Sequence, residues 1–214
     1  MALISDEDKE YLKKEFEDKL AGNVKLVMFT QHDHECRYCK ETREIVETLA
    51  ALSDRIDAEV YHFMDDKEKA DEYGVDKIPA IAIIGKKAYG VKFYGIPSGY
   101  EFTTLIQDIL EVSKGETALS EESKKEIAKI DKPLHLQVFV TPTCPYCPSA
   151  VHLAHQAAIE NDNIKADMIE AIEFPQLSQK YDVSGVPKTV INGKNEFVGA
   201  MPEEAFIKEL KAAL

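Results

Sequence analysis

The four cysteines of this chain form two Cys-x-x-Cys motifs, and each motif is followed at the same distance by a proline. The motifs occupy residues 36–39 and 144–147, and Pro79 and Pro187 each lie 43 residues after the first cysteine of their motif. Each motif also follows a run of β-branched and apolar residues and precedes a helical pattern. Cysteine pairs in this context indicate thiol–disulfide exchange. The constant spacing predicts a duplicated redox site.

The two halves of the chain align at a constant offset around these motifs. Seven residues of the first half recur 108 residues later, and they are Cys36, Cys39, Tyr73, Val75, Pro79, Gly85 and Lys86. Each half predicts the order β-α-β-α-β-β-α with a helix in front, which describes the thioredoxin fold. The fold class is therefore α/β, a tandem duplication in which each unit has a four-stranded mixed sheet flanked by helices. We predict a first unit at 1–117 and a second at 118–214.

The hydrophobic pattern places the elements of both units. In the first unit we predict helices over 5–22, 36–53, 66–73 and 99–113, and strands over 24–30, 58–64, 80–84 and 88–94. In the second unit we predict helices over 120–130, 144–160 and 175–181 and one opening at Pro202, with strands over 134–140, 166–172 and on both sides of 192–194. Ser5 caps the first helix, and Gly22 is placed to end it.

The position of each Cys pair predicts the role of its sulfurs. A thiol at a helix N-terminus meets unpaired backbone N–H groups and the positive end of the helix dipole, which favour the thiolate. We therefore predict Cys36 and Cys144 as nucleophiles. Cys39 and Cys147, one turn deeper, are the predicted resolving thiols that release the substrate.

The two prolines and their neighbours predict where a substrate binds. Both prolines are expected to be cis, a state that usually marks a required turn. In this fold such a loop faces the disulfide and exposes backbone that can pair with an extended peptide. A tyrosine inside each motif is expected to form a partly apolar rim, with plain surface exposure as the alternative. The predicted substrate-binding residues are Pro79, Pro187, Ile78, Val186, Tyr38 and Tyr146.

Two polar residues interrupt otherwise apolar strands at equivalent positions. His62 and Glu170 lie 108 residues apart, each within a predicted strand. A titratable group beneath a Cys pair could accept the proton of the resolving thiol. The alternative is a polar residue on the outer face of an edge strand.

The loop ahead of the first Cys pair carries charge. His32 and His34 are expected to be solvated surface residues. Asp33 and Glu35 disfavour a neighbouring thiolate, and Arg37, inside the motif, partly offsets them.

A zinc site and a decayed site are the two alternatives to a pair of working redox sites. Four cysteines in two pairs could hold zinc tetrahedrally, but the gap from Cys39 to Cys144 far exceeds the 15–20 residues of a zinc ribbon. A decayed site would have lost a thiol, whereas both motifs keep both. We predict no metal site.

The composition limits the binding partners and the cellular location that can be predicted for the chain. The formal net charge is −13, and no stretch of Lys and Arg lacks interleaved acids. This charge argues against nucleic acid and anionic membrane surfaces as partners. The chain shows no signal-peptide pattern and no apolar run near the roughly 18 residues of a membrane span, so we predict a cytoplasmic protein. Many Glu and Lys beside few Asn and Gln suit a thermophile.

The whole chain resembles the protein disulfide oxidoreductases of hyperthermophilic archaea and bacteria, which are glutaredoxin-like proteins with two thioredoxin-fold units. The resemblance rests on the opening 3–6, the segment 139–148 around the second motif, the turn 186–188 and the Cys-x-Tyr-Cys of the first unit. It implies oxidoreductase activity on disulfide-containing proteins at all four cysteines. It also implies no bound cofactor, and reduction by a flavoprotein thioredoxin reductase that uses NADPH.

Departures from related families limit the partners. The segment 198–202 lacks the Gly-Gly-x-Asp with which glutaredoxins hold glutathione, so glutathione is a doubtful partner. Thioredoxins carry a buried acid where this chain has Thr30 and Val138, so any internal base must come from elsewhere. Two alternative functions remain. One is an electron-relay module between a flavoprotein reductase and a peroxidase, and the other is a holdase-like binding protein with incidental redox activity.

Overall fold

The structure is a computed structural model that describes residues 3–31 and 36–214. Its helices are α1 (Asp6–Lys19), α2 (Cys39–Ala50), α3 (Lys67–Tyr73), α4 (Glu101–Lys114), α5 (Glu121–Ile127), α6 (Cys147–Glu160), α7 (Pro175–Lys180) and α8 (Glu203–Ala212). Its strands are β1 (Val24–Thr30), β2 (Ile56–His62), β3 (Ala80–Ile84), β4 (Ala88–Tyr94), β5 (Leu134–Val140), β6 (Ile164–Glu170), β7 (Lys188–Ile191) and β8 (Asn195–Val198).

The eight strands form one continuous sheet in the order β2-β1-β3-β4-β6-β5-β7-β8. Each unit contributes four strands of mixed direction, which confirms the predicted tandem duplication of the thioredoxin fold. The units are joined by parallel pairing of β4 with β6, in which Val91 to Tyr94 lie opposite Ala166 to Ile169. The sequence did not predict this joint, because hydrophobic patterns do not specify which strand edges meet.

Both Cys pairs lie at the same edge of this sheet. Strands β1, β2, β4, β5 and β6 all run in the same direction, because β1 and β4 are both antiparallel to β3 and the pairings β1–β2, β4–β6 and β5–β6 are parallel. The pairs follow the carboxyl ends of β1 and β5, and three strands, β3, β4 and β6, separate them. At about 4.8 Å per strand step, the two sites are about 19 Å apart.

The helices cover the two faces of the sheet unequally. On one face, side chains of α1, α2, α4, α5, α6 and α8 pack into a single apolar core shared by both units. On the other face, α3 and α7 cover a smaller core that includes Phe29 and Phe139. The alternation within β1 produces this division, since Leu26 and Met28 point to the large core and Val27 points to the small one.

The boundaries of several elements differ from the prediction. Helices α2 and α6 begin at the second cysteine of each motif, so Cys36 and Cys144 lie in the preceding turn. Strands β2 and β6 begin and end two residues earlier than predicted. The reason is register: parallel pairing aligns Ile56 with Val24, and Ile164 with Leu134, so each strand starts level with its neighbour.

The start of α1 is as predicted and its end is not. Ser5 Oγ accepts a hydrogen bond from the Asp8 backbone N–H at 3.1 Å, which confirms the cap. The helix ends at Lys19, and Leu20 turns into extended backbone, so the prediction that Gly22 ends the helix was wrong. Gly22 instead allows a close approach, because an added Cβ would lie 2.9 Å from the Ser113 carbonyl oxygen. Among the described residues, no helix is long and apolar enough to cross a membrane.

Candidate active site

Each cysteine pair forms a disulfide within its own motif. The Cα atoms are 5.5 Å apart in both pairs. The two disulfides are about 19 Å apart across the sheet, whereas zinc binds thiolates at about 2.3 Å. The four cysteines therefore cannot share one zinc ion in this fold, which excludes the bridging metal site considered as an alternative.

The second site brings its disulfide against the predicted proline loop. Cys144 is 8% exposed, and Cys147 is fully buried beneath it. The Cys144 Sγ lies 3.7 Å from the carbonyl oxygen of Val186. The Val186–Pro187 peptide bond is cis, as predicted. The Gly199 N–H donates a hydrogen bond to the Pro187 carbonyl at 2.7 Å, which fixes the loop to the following strand end.

The first site repeats this arrangement with a more exposed sulfur. Cys39 is buried and Cys36 is half-buried. The Ile78–Pro79 bond is also cis. The Gly95 N–H donates to the Pro79 carbonyl at 2.9 Å. Each proline loop is therefore held by its own glycine with positive φ, Gly95 at the first site and Gly199 at the second. A reagent in solvent can therefore reach Cys36 more easily than Cys144.

The two motif tyrosines differ in their surroundings. Tyr146 is 70% exposed. Tyr38 is partly buried against the large core, and the Arg37 guanidinium lies 5.1 Å from the centre of its ring. The predicted rim is thus an open aromatic surface at the second site and a packed one at the first.

His62 and Glu170 end β2 and β6 on the face that carries α2 and α6, because they keep the alternation of the large-core residues in those strands. His62 Nδ1 lies 3.0 Å from an Asp65 carboxylate oxygen. Glu170 is 3% exposed, and its Oε2 accepts the Glu173 N–H at 2.7 Å. The alternative was a polar residue on the outer face of an edge strand. His62 is on an edge strand but on the face that carries α2, and the alternative is wrong for Glu170, because β6 lies between β4 and β5.

The carboxyl groups of Glu170 and Glu173 form a pair between the two sites. Burial raises the pKa of Glu170, and burial with the nearby charge of Glu170 raises the pKa of Glu173 to about 7. Glu173 Oε1 accepts the Ile96 N–H at 2.6 Å. The positive charge of Arg37, within the first motif, opposes both shifts. This pair lies at the end of β6, between β4 of the first unit and β5, whose end precedes the second Cys pair.

A further buried acid, Glu101, was missed by the sequence prediction. Glu101 opens α4 and is 1% exposed. Burial raises its pKa to about 7, and the nearby charge of Asp108 adds to the effect. A carboxyl group of this kind can take up and release a proton near neutral pH.

The packing of α4 beside α6 locates Glu101 relative to the second Cys pair. Asp108 Oδ2 lies 2.5 Å from His155 Nδ1, and Asp108 Oδ1 lies 3.3 Å from His152 Nδ1. Glu101 is seven residues, or about two turns, before Asp108 on the same face of the helix. The same step of seven residues back from His152 and His155 reaches Pro145 and Pro148, which flank Cys147. The Tyr100 N–H donates to the Pro142 carbonyl at 3.1 Å, which independently ties this end of α4 to the loop before Cys144.

The sequence contains one signal for this acid. Four polar residues follow one face of α4 at helical spacing, and they are Glu101, Thr104, Asp108 and Glu111. Such a stripe normally indicates a solvated face. Here it is buried because α6 of the second unit packs against it.

Asp108, Glu111 and His152 have ligand atoms close enough to hold a metal ion. The two ring nitrogens of His152, however, face different carboxylates, Asp108 at 3.3 Å and Glu111 at 3.6 Å. Burial lowers the pKa of His152, but hydrogen bonding and charge from Asp108, with charge from Glu111, raise it more. The geometry is that of an imidazole ring bridging two acids across the unit boundary.

The charged loop of the first site lies outside the described residues. The predictions for His32, Asp33, His34 and Glu35 therefore stay predictions.

Comparisons with known proteins agree with this geometry. The sequence profile of a thioredoxin domain family matches residues 24–107 and 134–212. A protein disulfide oxidoreductase from Aeropyrum pernix is 30% identical, and its crystal structure matches with a TM-score of 0.90 over 98% of this chain and 93% of that chain. A chain of the alkylhydroperoxide reductase AhpF from Enterococcus faecalis is 26% identical, with a TM-score of 0.89 over 97% and 99%.

The curated relatives are longer proteins. The F component of alkyl hydroperoxide reductase from Staphylococcus aureus is 26% identical over 199 residues, which are 92% of this chain and 36% of that protein. This chain spans about a third of the length of the curated relatives it matches. What those whole proteins do is therefore a question to be tested for this chain.

Proposed function

Since the chain belongs to the thioredoxin domain family and carries two Cys-x-x-Cys disulfides, which make it a thiol–disulfide oxidoreductase, we propose that its substrates are disulfide-containing proteins. It reduces, forms or isomerises their disulfides at both sites. The observation that carries the proposal is the pairing of each disulfide with an equivalent cis-proline loop at the sheet edge. Such a loop offers backbone groups to an extended polypeptide.

In the reducing direction, each site works through a mixed disulfide. The Cys144 thiolate attacks one sulfur of the substrate disulfide, and the other sulfur leaves as a thiolate. The Cys147 thiolate then attacks Cys144, releases the second substrate thiol and leaves the enzyme disulfide. The substrate gains two electrons and the enzyme loses two. Cys36 and Cys39 play the same roles at the first site.

The depth of each sulfur supports these roles. Cys147 and Cys39 are buried, so a protein substrate reaches the outer cysteine of each pair first. The free N–H groups at the start of α2 and α6 favour a thiolate on that outer sulfur. At the second site, the Val186 carbonyl beside Cys144 can accept a hydrogen bond from the backbone of a bound peptide.

Glu101 is the proposed proton acceptor at the second site. It lies level with Cys147 and carries a pKa of about 7. It can therefore take the proton of the resolving thiol at neutral pH. Glu170, which ends β6 beside β5, stays a second candidate acceptor at this site. His62 stays a candidate acceptor at the first site.

The proposed electron source is a flavoprotein thioredoxin reductase that uses NADPH, and the chain itself needs no bound cofactor. Glutathione is a doubtful partner, because the loop 198–202 lacks the glutathione-binding sequence. We place the activity in the cytoplasm, where most disulfides are catalytic and transient.

Trapping tests the proposal. Reduced Cys147→Ser and Cys39→Ser variants should accumulate mixed disulfides with insulin or another disulfide-containing protein, because the resolving attack is lost. Cys144→Ser and Cys36→Ser are the matched controls and should trap nothing at the altered site. Mass spectrometry identifies the bonded cysteine. Adducts on Cys39 or Cys147 in the wild-type protein would contradict the order of attack.

Electron relay to a peroxidase is the second candidate. It is favoured by the match of nearly the whole chain to the Enterococcus faecalis reductase. A relay module would reduce a peroxidase far faster than insulin, whereas a general oxidoreductase would reduce both. Comparing the two rates with one reductase distinguishes the candidates.

A further inference from the structure

The loop before the second Cys pair is held by the first unit. It contains a tight turn, in which the Cys144 N–H donates a hydrogen bond to the Thr141 carbonyl at 3.1 Å. The Tyr100 N–H donates to the Pro142 carbonyl of that turn, also at 3.1 Å. Gly99 has a φ of +62° and lies so close that a Cβ there would overlap the same carbonyl. Because the ends of such a turn lie within about 7 Å of each other, the start of α4 is fixed beside Cys144.

Three large apolar side chains are exposed around this turn. Tyr100, at the start of α4, is 53% exposed, and Tyr146, inside the motif, is 70% exposed. Ile172 is 64% exposed and follows Ala171, whose N–H donates at 2.9 Å to the carbonyl of Val140, the residue before the turn. Backbone hydrogen bonds thus fix both Tyr100 and the segment that carries Ile172 against the loop that leads into the motif.

The segment around the second disulfide carries no charged side chain. No residue from 141 to 150 is charged, so an apolar polypeptide can approach without desolvating an ion. The first site differs, because Arg37 lies inside its motif and Tyr38 is packed against the large core. The equivalent of Tyr100, counted five residues from the proline-binding glycine of each unit, is Glu204. By this alignment, the aromatic ring at position 100 has no counterpart in the second unit.

We propose that Tyr100 is a specificity-determining residue of the second site, which selects substrates with an apolar side chain beside the cysteine that bonds to Cys144. The occupant is an extended apolar segment of a disulfide-containing protein, so the inference rests on the proposed function. A tyrosine ring offers a large, rigid contact surface and loses little conformational entropy on binding. With Tyr146 and Ile172 it forms an apolar surface next to the reactive sulfur, in which residues of both units contact one substrate.

Single-turnover reduction of two model peptides tests this role. The reduced full-length chain carries Cys36→Ser and Cys39→Ser, so that only the second site reacts. Each peptide has one cysteine in a mixed disulfide with thionitrobenzoate, flanked by phenylalanines in one peptide and by serines in the other. When Cys144 attacks the peptide sulfur, thionitrobenzoate leaves as a coloured thiolate, and its release gives the rate constant.

Tyr100→Ala should lower the rate constant for the phenylalanine peptide about three- to tenfold, the effect of losing about 25 to 55 Å² of apolar contact. The rate constant for the serine peptide should change by less than about twofold. Tyr100→Phe should retain the wild-type preference, because the ring remains. Tyr11→Ala removes a tyrosine of α1 that is 63% exposed, and as the matched control it should change neither rate constant.

A changed rate of Cys144 alkylation by iodoacetamide would show that Tyr100→Ala disturbs the turn itself. Tyr100→Lys then gives the same comparison, because it keeps a long side chain at the helix start and replaces the ring by an ammonium group. An unchanged preference between the peptides, or equal losses on both, would overturn the proposal. A failure of the proposed function is distinguishable, since it would appear as a wild-type protein that reduces no insulin.

Discussion

At the scale of single residues, the buried acids rather than the cysteines were the unexpected part of this protein. The cysteine pairs could be assigned from spacing alone. Glu101 could not, because its burial depends on a helix from the other unit. Glu101, an acid of the first unit, lies level with the second Cys pair, and Glu173 of the second unit accepts a hydrogen bond from the Ile96 N–H of the first.

Glu101 predicts a pH dependence of stability. Its pKa is about 7 in the folded protein and near 4.5 when unperturbed. Well below pH 4.5 both states hold the proton, so the group has no effect on stability. As pH rises to 7, the unfolded state loses the proton that the folded state keeps, and stability falls. Between pH 5 and 8, the wild type should lose about 2 to 3 kcal/mol more free energy of unfolding than Glu101→Gln.

Urea unfolding of the oxidised proteins at the two pH values measures this difference. Comparing the variant with the wild type cancels the contributions of other titrating groups such as Glu173. Parallel pH dependences in the two proteins would show that Glu101 titrates normally.

At the scale of elements, the equivalent turns of the two units hold the two proline loops in the same way but differ in how closely they are packed. Gly95 follows β4 and Gly199 follows β8, and each donates its N–H to the carbonyl of a loop proline. Their φ angles are similar, +90° and +98°. Only Gly95 is crowded, by the Glu170–Glu173 pair, whereas a Cβ at Gly199 would meet nothing within 4 Å.

This pair of glycines offers a matched substitution. Both Gly95→Ala and Gly199→Ala should be destabilised by about 1 to 3 kcal/mol, because an alanine is strained at positive φ. Gly95→Ala should lose about 1 kcal/mol or more beyond Gly199→Ala, because its Cβ also displaces packed side chains. Chemical denaturation measures both losses. Equal losses would mean that the acid pair moves aside without cost.

At the scale of the whole molecule, the continuous sheet determines how the two sites can communicate. Three strands separate the two sites, which places them about 19 Å apart. Disulfide exchange requires direct contact between sulfurs. Without a large rearrangement, one site cannot reduce the other within a single chain.

The sites should therefore react independently. A Cys36→Ser/Cys39→Ser variant should have its remaining disulfide reduced by dithiothreitol at the wild-type rate, within about twofold, and Cys144→Ser/Cys147→Ser is the converse variant. Quenched alkylation with mass spectrometry follows each pair. In half-reduced wild-type protein, exchange between the sites should speed up with protein concentration. A rate independent of concentration would reveal an internal relay.

The sequence by itself determined the local features of this protein. Strands β1, β3, β4 and β5 and the pairing of Cys36 with Cys39 depend on hydrophobic alternation, turn residues and short spacings, which neighbouring residues encode. The 108-residue repeat likewise identified both cis-proline loops and their disulfides. The boundaries that depend on strand pairing, such as those of β2 and β6, lie two residues earlier in the structure than the sequence predicted.

Only the tertiary structure decided how the two units complete each other. The β4–β6 pairing and the packing of α4 on α6 bury Glu101 and Asp108 and bring Glu170 beside the Gly95 turn of the first unit. In the sequence these residues resemble solvated or edge-strand polar positions. Their burial, and with it the raised pKa of Glu101, arises from contacts between residues far apart in the chain, which no local pattern encodes.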